Sequence, residues 1–182
     1  MRYVRRRRHR GRMEIRHGTR RIPVSRVANP GTNNNCLGFA LGPMLKCDPE
    51  DLRASLVAFV RDCADPDTQM ELACSVLDDF EKVPEAERVS AAVRELGQGC
   101  FIPADIFVAY CAQGKDRRRT LMRHNVVFFT ERQGYWEPVT YHLDDVARLT
   151  QYVGCNRSNT HYEALTMGPR HQLQFDLAFF GV

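Results

Sequence analysis

The stretch Asn33-Asn34-Asn35-Cys36-Leu37 decides the expected organisation of this chain. Three short amide side chains precede a cysteine, and the apolar run Leu37-Gly38-Phe39-Ala40-Leu41 follows it directly. This pattern predicts a loop that opens into a buried helix with Cys36 at its N-terminus. Because the first N–H groups of a helix have no intrahelical acceptor, this position favours the nucleophilic thiolate. Most buried cysteines are inert, so a catalytic interpretation needs a partner residue.

The sequence offers that partner near the other end of the chain. The segment Thr160-His161-Tyr162-Glu163 places a histidine 125 residues after the cysteine. A histidine there is suited to deprotonate the thiol, and a carboxylate two positions later is suited to hold the imidazole in orientation. Cys36, His161 and Glu163 are therefore the predicted catalytic residues.

Length and composition restrict the class of protein. A chain of 182 residues with 43% hydrophobic residues suits one folded domain with a tail. No apolar run approaches the roughly 18 residues that span a bilayer, and no signal peptide is evident, so we expect no membrane partner and a cytoplasmic location. The seven cysteines include no Cys-x-x-Cys pair. This spacing predicts a reducing compartment, no structural metal and no cofactor.

Positive charge is concentrated at the N-terminus. Residues 1–26 contain eleven arginines and one acidic residue, a balance of +10, whereas residues 27–182 have a balance of −6. We therefore predict a largely disordered basic arm over 1–26 and a single domain over 27–182. The arm is expected to bind RNA without sequence preference or to direct the chain to the nucleus; a solvated tail or a boundary segment of a longer precursor is the alternative. Its densest part is Arg5, Arg6, Arg7 and Arg8.

Helical patterns come first along the chain and strand patterns come later. Amphipathic helical periodicity covers residues 48–63, 72–80 and 89–97. Strand patterns cover residues 126–129, 135–141, 161–167 and 172–180, the last because apolar residues alternate there. This order predicts an α+β fold with a helical N-terminal part and a small, mainly antiparallel sheet.

In the same order, these segments resemble the ovarian-tumour (OTU) family of papain-like cysteine proteases. The stretch around Cys36 is similar to the Asp-Gly-Asn-Cys-Leu-Phe box of that family, and Asp51-Leu52-Arg53 is similar to the Leu-Arg pair near the start of its second helix. Residues 101–106 are similar to the pattern ahead of its central strands, and residues 160–165 to its closing histidine box. The resemblance implies a papain-like, OTU-type fold and, from the degree of divergence, a viral member.

The resemblance also implies a function. We expect a thiol protease or deubiquitinase in which Cys36 attacks a peptide or isopeptide carbonyl and His161 protonates the leaving amine. The loop backbone of Asn33, Asn34 and Asn35 would bind the oxyanion, and asparagine tolerates the positive φ that the family's glycine permits. The implied substrates are the C-terminal tail of ubiquitin or a ubiquitin-like protein, or a viral polyprotein junction.

Two alternatives stay open from the sequence. One keeps Cys36 but uses His124 and Glu137, thirteen residues apart, as the histidine and acid of a generic papain-like hairpin. The other is a non-enzymatic viral RNA-binding or virion protein that acts through the arginine-rich arm. The arginine run favours this second alternative, and the acidic balance of the domain argues against it.

Overall fold

The computed structural model describes residues 13–29, 31, 34–113, 123–143, 149–156, 158 and 160–180. The strands are β1 (Met13–His17), β2 (Arg20–Val27), β3 (Asn125–Arg132), β4 (Tyr135–His142), β5 (Thr150–Cys155) and β6 (Tyr162–Thr166). The α-helices of the described part are α1 (Cys36–Leu41), α2 (Pro49–Arg61), α3 (Pro66–Val76), α4 (Arg88–Gly97), α5 (Ala104–Gln113) and α6 (Pro169–Phe179). The predicted helices at 48–63 and 89–97, and the hairpin of β3 and β4, are confirmed.

The six strands form one closed barrel in the order β1-β2-β6-β5-β3-β4. Four of the neighbouring pairs are antiparallel, whereas β3 with β5 and β1 with β4 are parallel. The parallel contact between β1 and β4 joins the first hairpin to the far edge of the sheet and closes it. The predicted papain-like, OTU-type fold with a small, mainly antiparallel sheet is therefore wrong.

The hairpin of β1 and β2 was not predicted from the sequence. Its apolar residues Ile15, Ile22 and Val24 are buried inside the barrel, and arginines lie between them. Three apolar residues give a weak period-two signal, and the dense charge around them is typical of disordered chain. The prediction of a disordered arm is therefore wrong for residues 13–26. Arg5, Arg6, Arg7 and Arg8 lie outside the described residues.

The C-terminal segment is a helix, so the strand predicted for residues 172–180 is also wrong. Pro169 occupies the first turn of α6, where its missing N–H costs no hydrogen bond. Phe175 is fully buried against the barrel core, with its ring centre 5.7 Å from that of Phe129. Phe175 and Phe179 stack at 5.1 Å. Residues four apart share a face in a helix as well as in a strand, so alternation alone did not distinguish the two.

Two hydrophobic clusters determine where α1 lies. One fills the barrel and includes Trp136 and Phe175. The other lies between the helices and the outer face of the sheet, and it includes Cys36, Phe128 and Tyr162. α1 packs along β6 in this second cluster. The helix predicted after the cysteine is thus present and buried, and it rests on the outside of the barrel.

No helix of the described residues combines the length and the apolar content needed to cross a bilayer.

Candidate active site

Cys36 is the first residue of α1 and is only 2% exposed. Asn35 stands at the N-cap position but makes no side-chain hydrogen bond to the helix. Its Oδ1 instead accepts a hydrogen bond from Arg53 Nε at 2.8 Å. The first N–H groups of α1 are therefore left without a side-chain cap, and they are suited to bind negative charge next to the sulfur.

His161 reaches the same region from the connection between β5 and β6. Asn156, directly after β5, accepts hydrogen bonds through Oδ1 from the backbone N–H of Thr160 at 2.8 Å and of His161 at 3.2 Å. The backbone N–H of Asn156 donates to the His161 carbonyl at 3.0 Å. These three hydrogen bonds hold the backbone of His161 at the start of β6.

Gly31 lies between the imidazole and the cysteine. A Cβ atom added at Gly31 would lie 2.8 Å from His161 Cε1, 3.1 Å from His161 Nδ1 and 3.9 Å from Cys36 Cβ. Because these distances share one origin, His161 Nδ1 and Cys36 Cβ are separated by at most the sum of the last two, about 7 Å. The predicted nucleophile and base therefore both border Gly31, with the Nδ1 edge of the ring towards it, but the hydrogen bonds of the described residues include none between the imidazole and the Cys36 sulfur.

Asn29 links the two elements that carry this pair. Its Nδ2 donates to the Cys36 carbonyl at 2.7 Å and to the Tyr162 carbonyl at 2.8 Å. Its Oδ1 accepts from the backbone N–H of Gly31 at 2.9 Å. One side chain therefore fixes the start of α1, the start of β6 and the glycine between them. The spacing of thiol and imidazole is set by directed hydrogen bonds as well as by packing.

Arg53 of α2 supports the loop ahead of the cysteine. It is 8% exposed, and besides Asn35 its guanidinium donates to the carbonyls of Asn34 at 2.7 Å, Leu96 at 2.9 Å and Cys100 at 2.9 Å. A buried cation is tolerated here because its donors have acceptors. Burial lowers the pKa of Arg53, while negative charge on the nearby thiols of Cys100 and then Cys36 raises it. Burial raises the pKa of the Cys100 thiol, and the Arg53 guanidinium offsets this effect only in part.

The predicted oxyanion loop is only partly described. Asn34 has a φ of +56°, the left-handed conformation that asparagine tolerates. Its side-chain amide donates to the Gly99 carbonyl. Asn33 lies outside the described residues. The side-chain hydrogen bond to Gly99 and the hydrogen bond from Arg53 to the Asn34 carbonyl therefore hold the backbone just ahead of Cys36.

Glu163 is not brought to the imidazole. Adjacent residues of a strand point to opposite faces, and Tyr162 packs in the helix–sheet cluster, so Glu163 lies towards the barrel. Its Oε2 is 3.3 Å from Arg26 Nη1, and Arg26 also approaches Glu131 at 3.7 Å. The hydrogen bonds and ion pairs of the described residues include none between Glu163 and His161. A catalytic role of Glu163 stays a prediction that this conformation does not support.

The alternative pair is separated along the barrel. His124 directly precedes β3, whereas Glu137 of β4 is the cross-strand partner of Thr130, six residues further on. At about 3.3 Å per residue this places the two roughly 20 Å apart. Glu137 lies instead 3.7 Å from Arg132 Nε. The prediction that a hairpin brings His124 and Glu137 side by side is therefore wrong.

A cavity of about 520 Å³ lies against the sheet, and neither Cys36 nor His161 belongs to its wall. Cys155 and Tyr162, which are cross-strand partners on β5 and β6, form part of its wall. Burial raises the pKa of Cys155 to about 12, against the opposing effect of a hydrogen bond from the His161 backbone. Cys155 is therefore a neutral thiol at neutral pH. Charged residues of the cavity wall are Asp78, Asp105 and Arg132.

Four residues that shape the site were missed from the sequence. They are Asn29, Gly31, Arg53 and Asn156. For Asn29 and Gly31 the available signal was Asn29-Pro30-Gly31, a typical turn sequence just ahead of the cysteine loop. Arg53 was noted only as part of a Leu-Arg pair. Its hydrogen bonds reach residues up to 47 positions away, which no local pattern reveals. No pattern marks Asn156 either.

The described residues contain no group of three or more His, Cys, Asp or Glu side chains placed to hold a metal ion. The seven cysteines all belong to the described part, and none of them forms a disulfide. No family model, no curated protein and no solved structure matches this chain.

Proposed function

We propose that this protein is a thiol-dependent hydrolase of peptide or isopeptide bonds, with Cys36 as the nucleophile and His161 as the general base. The observation that carries the proposal is the meeting of both residues at Gly31, where one added Cβ would contact both side chains. The barrel does not oppose it, because nucleophile–base pairs of this kind recur on unrelated folds.

The proposed reaction has two halves. His161 takes the proton of Cys36, and the thiolate attacks the carbonyl carbon of the substrate. N–H groups at the start of α1 and in the preceding loop receive the resulting oxyanion. The C–N bond then breaks as His161 returns the proton to the leaving amine, which leaves a thioester on Cys36. Water, deprotonated by His161, attacks the thioester, and its breakdown releases the acid and restores the thiol.

The cavity against the sheet offers space for part of an extended substrate chain, although Cys36 and His161 lie outside its wall. Its walls include Cys155 and Tyr162, which belong to the strands that hold His161. The C-terminal tail of ubiquitin or a ubiquitin-like protein, or a viral polyprotein junction, is such a chain. A cytoplasmic location belongs to the same proposal, because seven free cysteines are typical of a protein in a reducing compartment.

The test measures hydrolysis of fluorogenic amides built on the ubiquitin C-terminal tail and on a library of extended peptides. We expect Cys36→Ala and His161→Ala to lose activity by on the order of a thousandfold. His124→Ala is the control and should retain it. Mass spectrometry of the quenched reaction should find the acyl group on Cys36. Activity that survives in Cys36→Ala or in His161→Ala would contradict the proposal.

A further inference from the structure

A basic surface lies on another face of the barrel. Arg16 of β1 and Arg21 of β2 are cross-strand partners, and Tyr135 begins the adjacent strand β4. The guanidinium carbon of Arg16 lies 3.5 Å from the centre of the Tyr135 ring, and that of Arg21 lies 5.8 Å from it. Arg20, which precedes Arg21 on β2, points to the opposite face of the strand and donates a long hydrogen bond of 3.5 Å to the Gln174 carbonyl. We name Arg16, Arg21 and Tyr135 the arginine–tyrosine patch.

The patch is separate from the candidate active site. Arg21 stands six residues before Val27 on β2, and Val27 is the residue that pairs with Ala164 of β6. The separation along the strand is about 20 Å. Binding at the patch and chemistry at Cys36 are therefore independently testable.

The arginines of the patch keep their charge available to a partner. Among the described residues, no carboxylate lies within ion-pair distance of Arg16 or Arg21. Glu14 is the acidic residue of the hairpin, and its single charge does not balance two guanidinium groups.

The sequence ahead of the patch adds to this charge. Seven of the eleven arginines of residues 1–26 fall within residues 1–12, directly before β1. The domain beyond residue 26 has a balance of −6. Positive charge is thus concentrated in the N-terminal part of the sequence, which includes the hairpin that carries the patch, and such charge asymmetry is typical of polyanion-binding proteins.

We propose that the arginine–tyrosine patch binds single-stranded nucleic acid. Arginine neutralises phosphates, while the planar faces of guanidinium and tyrosine stack on unpaired bases. A duplex hides those base faces in its own stack. An acidic protein would use the charge but not the planar stack of Arg16 on Tyr135, so the geometry favours a nucleic acid.

The experiment measures fluorescence anisotropy of a labelled 20-nucleotide uridine RNA with the full chain at about 50 and 200 mM salt. Arg16→Gln combined with Arg21→Gln should lower the salt slope of log affinity by about 1.4, since each phosphate contact on a single strand contributes about 0.7. Tyr135→Ala should weaken binding about tenfold, and Tyr135→Phe should not. Arg88→Gln is the matched control, because the Arg88 guanidinium lies 4.3 Å over the Phe80 ring on the helical side of the protein.

A further variant separates stacking from charge. Arg16→Lys keeps the cation but loses the planar group, so the salt slope should persist while the preference for single strand over a 20-base-pair duplex falls. This readout does not depend on the folding of the glutamine variants. An unchanged preference in both Arg16→Lys and Tyr135→Ala would overturn the proposal. Equal binding of a polyglutamate chain, or no binding of RNA by the wild type at low salt, would overturn it as well.

Discussion

Replacing Gly31 by alanine adds one methyl group where the His161 ring and Cys36 meet. The new Cβ would lie 2.8 Å from His161 Cε1, a distance that real Cβ atoms essentially never show. Gly31 also has a φ of +61°, which favours glycine. Gly18, in the turn between β1 and β2, has a φ of +57°, and no other described heavy atom comes within 4 Å of a Cβ placed there. Gly18→Ala is therefore the matched control.

The two substitutions share one cost and differ in another. Each places alanine in the left-handed region, which costs about 1–2 kcal/mol of unfolding free energy. Only Gly31→Ala displaces the ring, by roughly 0.6 Å if the contact relaxes from 2.8 Å to the ordinary limit of 3.4 Å. A catalytic group misplaced by about 1 Å can lose about a hundredfold in rate. We therefore expect kcat/KM to fall by about 10- to 100-fold in Gly31→Ala.

The assay measures kcat/KM on the best of the fluorogenic amide substrates and the thermal unfolding of both variants. Gly18→Ala should retain the wild-type kcat/KM while losing similar stability. Wild-type activity in Gly31→Ala would refute the inference that the ring faces the cysteine across this glycine. Equal loss of activity in both variants would show that stability alone, and not the position of the ring, controls the rate.

Three further substitutions test other parts of the structure. Asn29→Ala removes the side-chain hydrogen bonds to Cys36, Tyr162 and Gly31, so kcat/KM should fall about tenfold or more; an unchanged kcat/KM would exclude a positioning role. Gly154→Ala places a Cβ 2.7 Å from the Trp136 ring inside the barrel. This overpacking should lower the unfolding free energy, measured by urea titration, by about 1–3 kcal/mol. Wild-type stability of this variant would contradict the packing described.

The third concerns pH. Burial raises the pKa of Asp176, although it accepts a hydrogen bond from the Tyr152 hydroxyl at 2.6 Å. Because the folded pKa lies above the unfolded one, stability is lost as pH rises through the folded pKa. The unfolding free energy of Asp176→Asn minus that of the wild type should therefore increase as the pH rises from about 3 to about 7. A difference that stays constant over this range would refute the prediction.

Local patterns predicted the elements that lie close together in the sequence. The helix that starts at Pro49 and the hairpin of β3 and β4 each carry their own periodicity and turn residues. Closure of the barrel depends on β1 meeting β4 and β2 meeting β6, pairings that join residues more than 100 positions apart. No local pattern encodes such a contact. The strands of the first hairpin were not predicted, because its many arginines are typical of disordered chain.

The candidate site was predicted in part for the same reason. Cys36 and His161 carry recognisable chemistry, and their sequence neighbours singled them out: the asparagines and apolar run around the cysteine, and the carboxylate two positions after the histidine. Glu163 shows the limit of this reasoning, because its place is decided by the alternation of β6 and by the ion pair with Arg26. Arg26 belongs to the segment expected to be disordered, and its contact with Glu163 was therefore invisible from the sequence.

The pairing of Cys36 with His161 is tested most directly without any substrate. Iodoacetamide alkylation of Cys36, located by peptide mass spectrometry, is measured at about pH 6 and pH 9 in the wild type, His161→Ala and His124→Ala. The rate at pH 6 divided by the rate at pH 9 is the quantity compared, because this ratio cancels differences in access to the buried sulfur. If His161 holds the sulfur as an ion pair, this ratio is about tenfold higher in the wild type and in His124→Ala than in His161→Ala. The same ratio in all three proteins would contradict the account.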